Sequence, residues 1–166
     1  MKIGNKFISI EITNKSTPYE GPITPEIIEK CISIAFEAHE GQRDKDGNAV
    51  ILNPLFVGSM GQTDAEKCVG FLHDVVEDTK WTLDDLRDEE IPEEIVTAIG
   101  ICTHKKNQDY YDYVQSIIDS GNMTAIHVKH NDLRHNLARG IAFQHPELVT
   151  KHEKALLMIE DFLKEK

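Results

Sequence analysis

Residues 71 to 79 read Phe71-Leu72-His73-Asp74-Val75-Val76-Glu77-Asp78-Thr79. At about 100° per residue, a helix through this stretch places His73, Asp74, Glu77 and Asp78 on an arc of roughly 140°. Cys68, Val69, Phe71, Leu72, Val75 and Val76 take the other side. Such a helix buries its apolar side in a core and holds an imidazole and three carboxylates at the edge of a cleft. Nitrogen and oxygen donors without thiolate suit manganese, iron or magnesium better than a structural zinc. An acidic, solvated face on an ordinary amphipathic helix would leave the same pattern, but it accounts poorly for the His-Asp pair.

Helical signals continue on both sides of this segment. Thr24-Pro25 combines an N-cap residue with proline at the first helical position, and Ile27, Ile28, Cys31, Ile32 and Ala35 follow at helical spacing until Gly41. Residues 41 to 53 form a polar loop, after which Asn53-Pro54 restarts a helix with the same capping logic. Thr63 with Glu66, and Thr82 with Asp85, have capping-box spacing. Pro92 opens a helix to about His104, Asn107 caps one carrying Tyr110, Tyr113, Val114 and Ile117, and Asn122 caps one to about Ala138. His145-Pro146 begins the last, with Leu148, Leu156, Ile159, Phe162 and Leu163 as its apolar stripe. The pattern predicts an all-α orthogonal bundle of seven or eight helices. Residues 1 to 22 form an N-terminal arm, in which 6 to 12 alternate as a short strand or extended segment, and 23 to 166 form one domain.

At 166 residues the chain supports a single full core, and its net charge of -11 disfavours non-specific binding to nucleic acid or to an anionic membrane. Met1 to Glu20 lacks the apolar run of a signal peptide, and no stretch has the length of a membrane span, which predicts a cytoplasmic protein. Cys31, Cys68 and Cys102 are far apart and flanked by apolar residues, and they read as buried reduced thiols.

A second polar constellation lies in Val128-Lys129-His130-Asn131-Asp132-Leu133-Arg134-His135-Asn136. Asp132 and Asn136, four apart, share a helix face on which a carboxylate and an amide can ligate a metal and orient a phosphate. His73-Asp74 followed by a distant Asp132 resembles the HD-domain metal-dependent phosphohydrolases. Together with Ala38-His39-Glu40-Gly41-Gln42, the two segments are similar to hydrolase domains of the RelA/SpoT type, which remove pyrophosphate from the 3′ position of ppGpp, usually with manganese. Asp44-Lys45, Thr103-His104-Lys105-Lys106 and the segment from Tyr110 to Tyr113 look like a small, single-domain branch of that group.

The resemblance spans about residues 25 to 140 and implies an HD-type helical domain and an enzyme acting on a phosphorylated nucleotide. It implies His73, Asp74 and Asp132 as ligands of a divalent metal, manganese first, and Glu77 and Asp78 as the catalytic acidic pair. Asn136, Lys45 and Arg43 would meet the substrate, with Arg134 a further candidate, and His39 would buttress the site. Two departures stand out. Asn53 occupies the place of a ligand histidine and offers a neutral, weaker donor. Asp44 occupies the place of an arginine that stacks on guanine, with Arg43 one position away. The departures also imply a second possibility, a degenerate member that binds a nucleotide or a protein partner without turnover.

Overall fold

The computed structural model describes residues 18 to 166; the strand or extended segment expected over 6 to 12 lies outside them. Among the described residues nine helical elements follow one another: α1 (Pro25–Ala38), α2 (Leu52–Ser59), α3 (Asp64–Leu72), α4 (Val75–Asp78), α5 (Leu83–Asp88), α6 (Glu93–Cys102), α7 (Tyr110–Asp119), α8 (Met123–Ala142) and α9 (Pro146–Lys164). Among the described residues there is no strand, only an isolated bridge between Arg43 and Ala49 in the α1–α2 loop. The fold is all-α.

Local chemistry places most of the helix starts. Thr24 caps α1 by accepting from the Ile27 amide, Thr63 caps α3 by accepting from Glu66, and Asn122 caps α8 by accepting from Ala125. Thr82 and Asp85 form a reciprocal capping box on α5. Gly41 and Gly121 take positive φ just beyond α1 and α7, where a side chain would strain the turn.

Three expectations are corrected. Asn53 does not cap α2: Ile51 stands at the N-cap without a side-chain bond, and Asn53 lies inside the helix with its amide turned inward. Asp109, not Asn107, caps α7, its carboxylate accepting from the Tyr111 and Asp112 amides, while Asn107 sits at φ 66° in the preceding turn. The segment from 71 to 79 is not one helix, because α3 ends at Leu72 and α4 begins at Val75. This split raises the count of elements above the seven or eight expected. α8 also outruns its expected end by four residues, to Ala142.

The core collects Ile27, Cys31 and Ala35 of α1, Cys68, Val69 and Leu72 of α3, Ile95 and Ile99 of α6, and Ile126 and Leu133 of α8. All three cysteines are buried and free, as their apolar neighbours suggested. α3 lies at the centre, touching α1, α2, α6 and α8. Its contact with α2 is close enough that a Cβ on Gly70 would come within 2.7 Å of the Gly58 backbone. No helix among the described residues is long and apolar enough to cross a membrane.

Candidate functional site

The break between α3 and α4 shapes the site. In an unbroken helix, consecutive side chains diverge by about 100°. Here His73 closes α3 and Asp74 precedes α4 at φ -99°, ψ -4°, and the two side chains meet. His73 Nδ1 lies 2.7 Å from the Gly70 carbonyl oxygen, which can only accept, so Nδ1 carries the proton and Nε2 keeps its lone pair in the neutral ring. Nε2 lies 3.2 Å from Asp74 Oδ2 and 3.4 Å from Asp132 Oδ1, yet it is buried and aligned for a hydrogen bond with neither. Burial disfavours a charged ring, but the two carboxylates outweigh it and hold the imidazole well above its ordinary pKa, so that without a cation Nε2 holds a second proton, which a bound cation would replace.

Asp132, brought from α8, gathers the remaining polar groups. Its Oδ1 accepts from Asn53 Nδ2 at 3.2 Å and from Asn136 Nδ2 at 3.1 Å, and its Oδ2 accepts from Lys129 Nζ at 2.9 Å. Burial would raise this carboxyl's pKa, but Lys129 and His73 reverse the effect and hold it well below the ordinary range. Burial likewise opposes the charge on Lys129, and Asp132 outweighs it and drives that pKa well up. Both members of the pair are therefore ionised. Asn53 Nδ2 also lies 2.9 Å from His135 Nδ1, so its amide group sits between Asp132 and that ring.

A cleft of about 280 Å³ opens beside this cluster. On one wall, Asp74, Glu77 and Asp78 each present an oxygen within 4.8 Å of the others. Desolvation is the main cause that raises the Glu77 pKa; the His104 amide, donating to Oε1 at 2.6 Å, opposes it, and the Asp74 and Asp78 charges add to it. Desolvation and then Asp74 raise Asp78 in the same way. Gln42 links this wall to α1, because Nε2 donates to the Asp78 carbonyl at 3.0 Å and Oε1 pairs with His39 Nδ1 at 2.8 Å.

The opposite wall is basic. Lys129, Arg139 and Lys151 line the cleft with Tyr110 and His152. Lys151 Nζ sits 4.0 Å above the centre of the Tyr110 ring, and burial lowers its pKa, with Lys129 adding repulsion. Burial also lowers His152, to about 4.

Of the residues singled out in the sequence, Asn53, Asp74, Glu77, Asp78, Asp132 and Asn136 line this cleft and His73 lies against its floor. Arg43, Lys45 and Arg134 are exposed and do not line it; Arg43 donates to the adjacent Gln42 carbonyl. Sequence reasoning missed Lys129, Arg139, Lys151 and His152. Lys129 alone left a signal, three residues before Asp132 and so on its face of the helix.

No family model matches the chain. Over 64 residues it is 41% identical to a GTP pyrophosphokinase of Streptomyces coelicolor, and over 60 residues 42% identical to a putative chloroplastic GTP diphosphokinase of Arabidopsis thaliana. These stretches cover 36% and 34% of this chain but only 8% and 7% of those relatives, so the chain matches less than a tenth of their length. Among solved structures, a metazoan ortholog of SpoT that hydrolyses ppGpp superposes with a TM-score of 0.59 at 16% identity, covering 87% of this chain and 98% of that one. The fold is that of this metazoan SpoT ortholog. In this fold the His-Asp pair sits at the α3–α4 break, and Asp132 reaches it from α8.

Proposed function

We infer that this HD domain is a metal-dependent phosphohydrolase acting on a phosphorylated nucleotide, with removal of the 3′ pyrophosphate of ppGpp as its reaction. The observation that carries this reading is the buried His73 Nε2, which faces two carboxylates without a hydrogen-bond partner of its own. An imidazole nitrogen with two carboxylates fits manganese or a similar divalent ion. His73, Asp74 and Asp132 would hold that ion, with Asn53 a weaker fourth donor through its amide oxygen. The ion, when bound, supplies Lewis acidity and activates water.

The remaining roles follow from the two walls. Glu77 and Asp78 accept and relay a proton, since their raised pKa values make them better bases than ordinary carboxylates. Lys129, Arg139 and Lys151 offset the negative charge of the phosphates, and Asn136 orients them. Arg43 and Lys45, exposed in the α1–α2 loop, meet the substrate only outside the cleft. The likeness in fold to a protein that hydrolyses ppGpp supports this choice of substrate.

Asn53 favours a second reading, nucleotide binding without turnover. Its Nδ2 donates to Asp132, so the amide caps a carboxylate that the ion would need. The test is release of pyrophosphate from ppGpp and a nucleotide panel with added manganese, comparing wild type with Asp74→Ala. Manganese-dependent release is expected from wild type. The variant should lose more than the roughly 10- to 100-fold typical of residues that only support a ligand. No metal-dependent release from any nucleotide, with binding that ignores chelators, would select the second reading.

A further inference from the structure

The helix α2 carries no charged residue, reading Leu52-Asn53-Pro54-Leu55-Phe56-Val57-Gly58-Ser59 in a chain whose net charge is -11. Its inward face holds Asn53, Pro54, Val57 and Gly58, all buried. Its outward face sets Leu52 (56% exposed), Phe56 (39%) and Met60 (40%) at intervals of four residues, so the three lie in one row. Met60, at the C-cap, keeps helical angles (φ -83°, ψ -9°) and continues that row. At 1.5 Å per residue the row is about 12 Å long. At the Leu52 end the apolar surface runs on to Phe143, the exposed C-cap residue of α8, since both side chains line one shallow hollow.

This face is ordered before anything covers it. The Phe56 ring lies flat against the His135 ring of α8, with centroids 4.2 Å apart at an interplanar angle of 14°, so the central side chain of the row is held from behind. Ser59, exposed on the same face, donates its hydroxyl to the Phe56 carbonyl at 2.7 Å and so needs no water for that donor. Covering such a row costs little side-chain entropy and strands no hydroxyl donor. A continuous apolar surface of this kind marks an interaction face.

We propose that the outward face of α2 is the two-fold contact of a homodimer, in which α2 packs antiparallel against α2 of a second copy with Phe56 on the axis. The spacing is self-complementary: with Phe56 opposite Phe56, each Leu52 meets Met60 of the second copy, four residues to either side. Charge selects the same occupant. Two copies at -11 each repel one another, and an uncharged helix is where they approach against the least repulsion. Antiparallel packing also sets the positive N-terminal end of each α2 beside the negative C-terminal end of the other. An eight-residue helix with Phe143 beside it falls short of the roughly 800 Å² per partner of a standard interface, so the dimer is weak, with a dissociation constant of about 10–100 µM. The proposal is independent of what the cleft binds.

The experiment is sedimentation equilibrium of the full chain from about 5 to about 500 µM, a range that brackets the expected dissociation constant. The apparent mass of wild type should rise from one chain towards two. Added NaCl, from about 0.05 to about 0.5 M, should tighten the dimer, because it screens the repulsion between the copies. Phe56→Glu brings two carboxylates together on the axis and should weaken association at least about tenfold. Leu52→Lys, at an exposed position and so a low risk to folding, should weaken it as well. Joining Leu52→Lys to Met60→Glu should restore association to within about threefold of wild type, because each lysine then faces a glutamate of the second copy. Circular dichroism checks that each variant keeps its helices. A monomer up to about 500 µM, which would leave the face to residues 1 to 17 or to another protein, overturns the proposal. So does a dimer that salt loosens, one indifferent to Phe56→Glu and Leu52→Lys, or one that the paired substitution fails to restore.

Discussion

Asp132 organises the candidate site, and its partners decide how the site answers substitution. With Asn53, Asn136, Lys129 and His73 around one carboxylate, the loss of any partner leaves the others to carry buried charge. Lys129→Met removes the cation bonded to Oδ2 and strands an ionised acid, so unfolding in urea should show a loss of roughly 3 kcal/mol. Asn53→His replaces an amide donor with an imidazole that can ligate, and manganese affinity measured by calorimetry should rise at least about tenfold. No rise would mean that position 53 does not limit metal binding. Glu77 and Asp78 behave oppositely, because the fold raises their pKa values. The folded state keeps these protons longer than the unfolded chain does. Their stabilising contribution is therefore present below the ordinary value, 4.5 for Glu77, and is lost as pH rises through the raised one. Glu77→Gln retains an acceptor for the His104 amide, so it should raise Tm at pH 7 while lowering turnover, with the gain in Tm vanishing at acid pH. A lower Tm at pH 7 would show that its charge is not a burden.

At the scale of elements, the α2–α3 crossing holds the site together. A Cβ on Gly70 would fall 2.7 Å from the Gly58 Cα and nitrogen, and one on Gly58 would fall 2.2 Å from the Phe71 ring. Gly70 also lends its carbonyl to His73 Nδ1. Gly70→Ala must push α2 away and should cost about 1–3 kcal/mol in chemical denaturation, with weaker manganese binding because α2 carries Asn53. The helix starts at Thr24, Thr63, Thr82 and Asn122 were legible in the sequence because a cap is local chemistry, settled within three residues. Asn53 and Asn107 misled because asparagine has other uses: one answers a carboxylate 79 residues away, the other occupies a left-handed turn. The interruption at His73-Asp74 left no mark in the periodicity, since both flanks keep their apolar residues inside. Only the meeting of His73 with both Asp74 and Asp132 reveals it.

For the whole molecule, the all-helical bundle and the acidic wall could be read from patterning, whereas the basic wall could not. Arg139 and Lys151 enter the cleft because α8 runs on to Ala142 and α9 folds back along it, and each looks solvated when read in its own helix. His152 lies among these cations with its pKa lowered to about 4 from an ordinary 6.5, chiefly by burial. A depressed histidine gives stability that is full above the unfolded value and is lost as pH falls from 6.5 towards 4. Urea unfolding of His152→Gln across that window should give a flatter pH dependence than wild type; an identical slope would locate the acid sensitivity elsewhere. Finally, the two glycines at the α2–α3 crossing limit the ways in which the site can be retuned. Where helices meet through side chains, gradual repacking can slide one past the other and retune a ligand's reach. Here backbone rests on backbone, so the reach of position 53 toward Asp132 is changed by the choice of its side chain and not by sliding the helix that carries it.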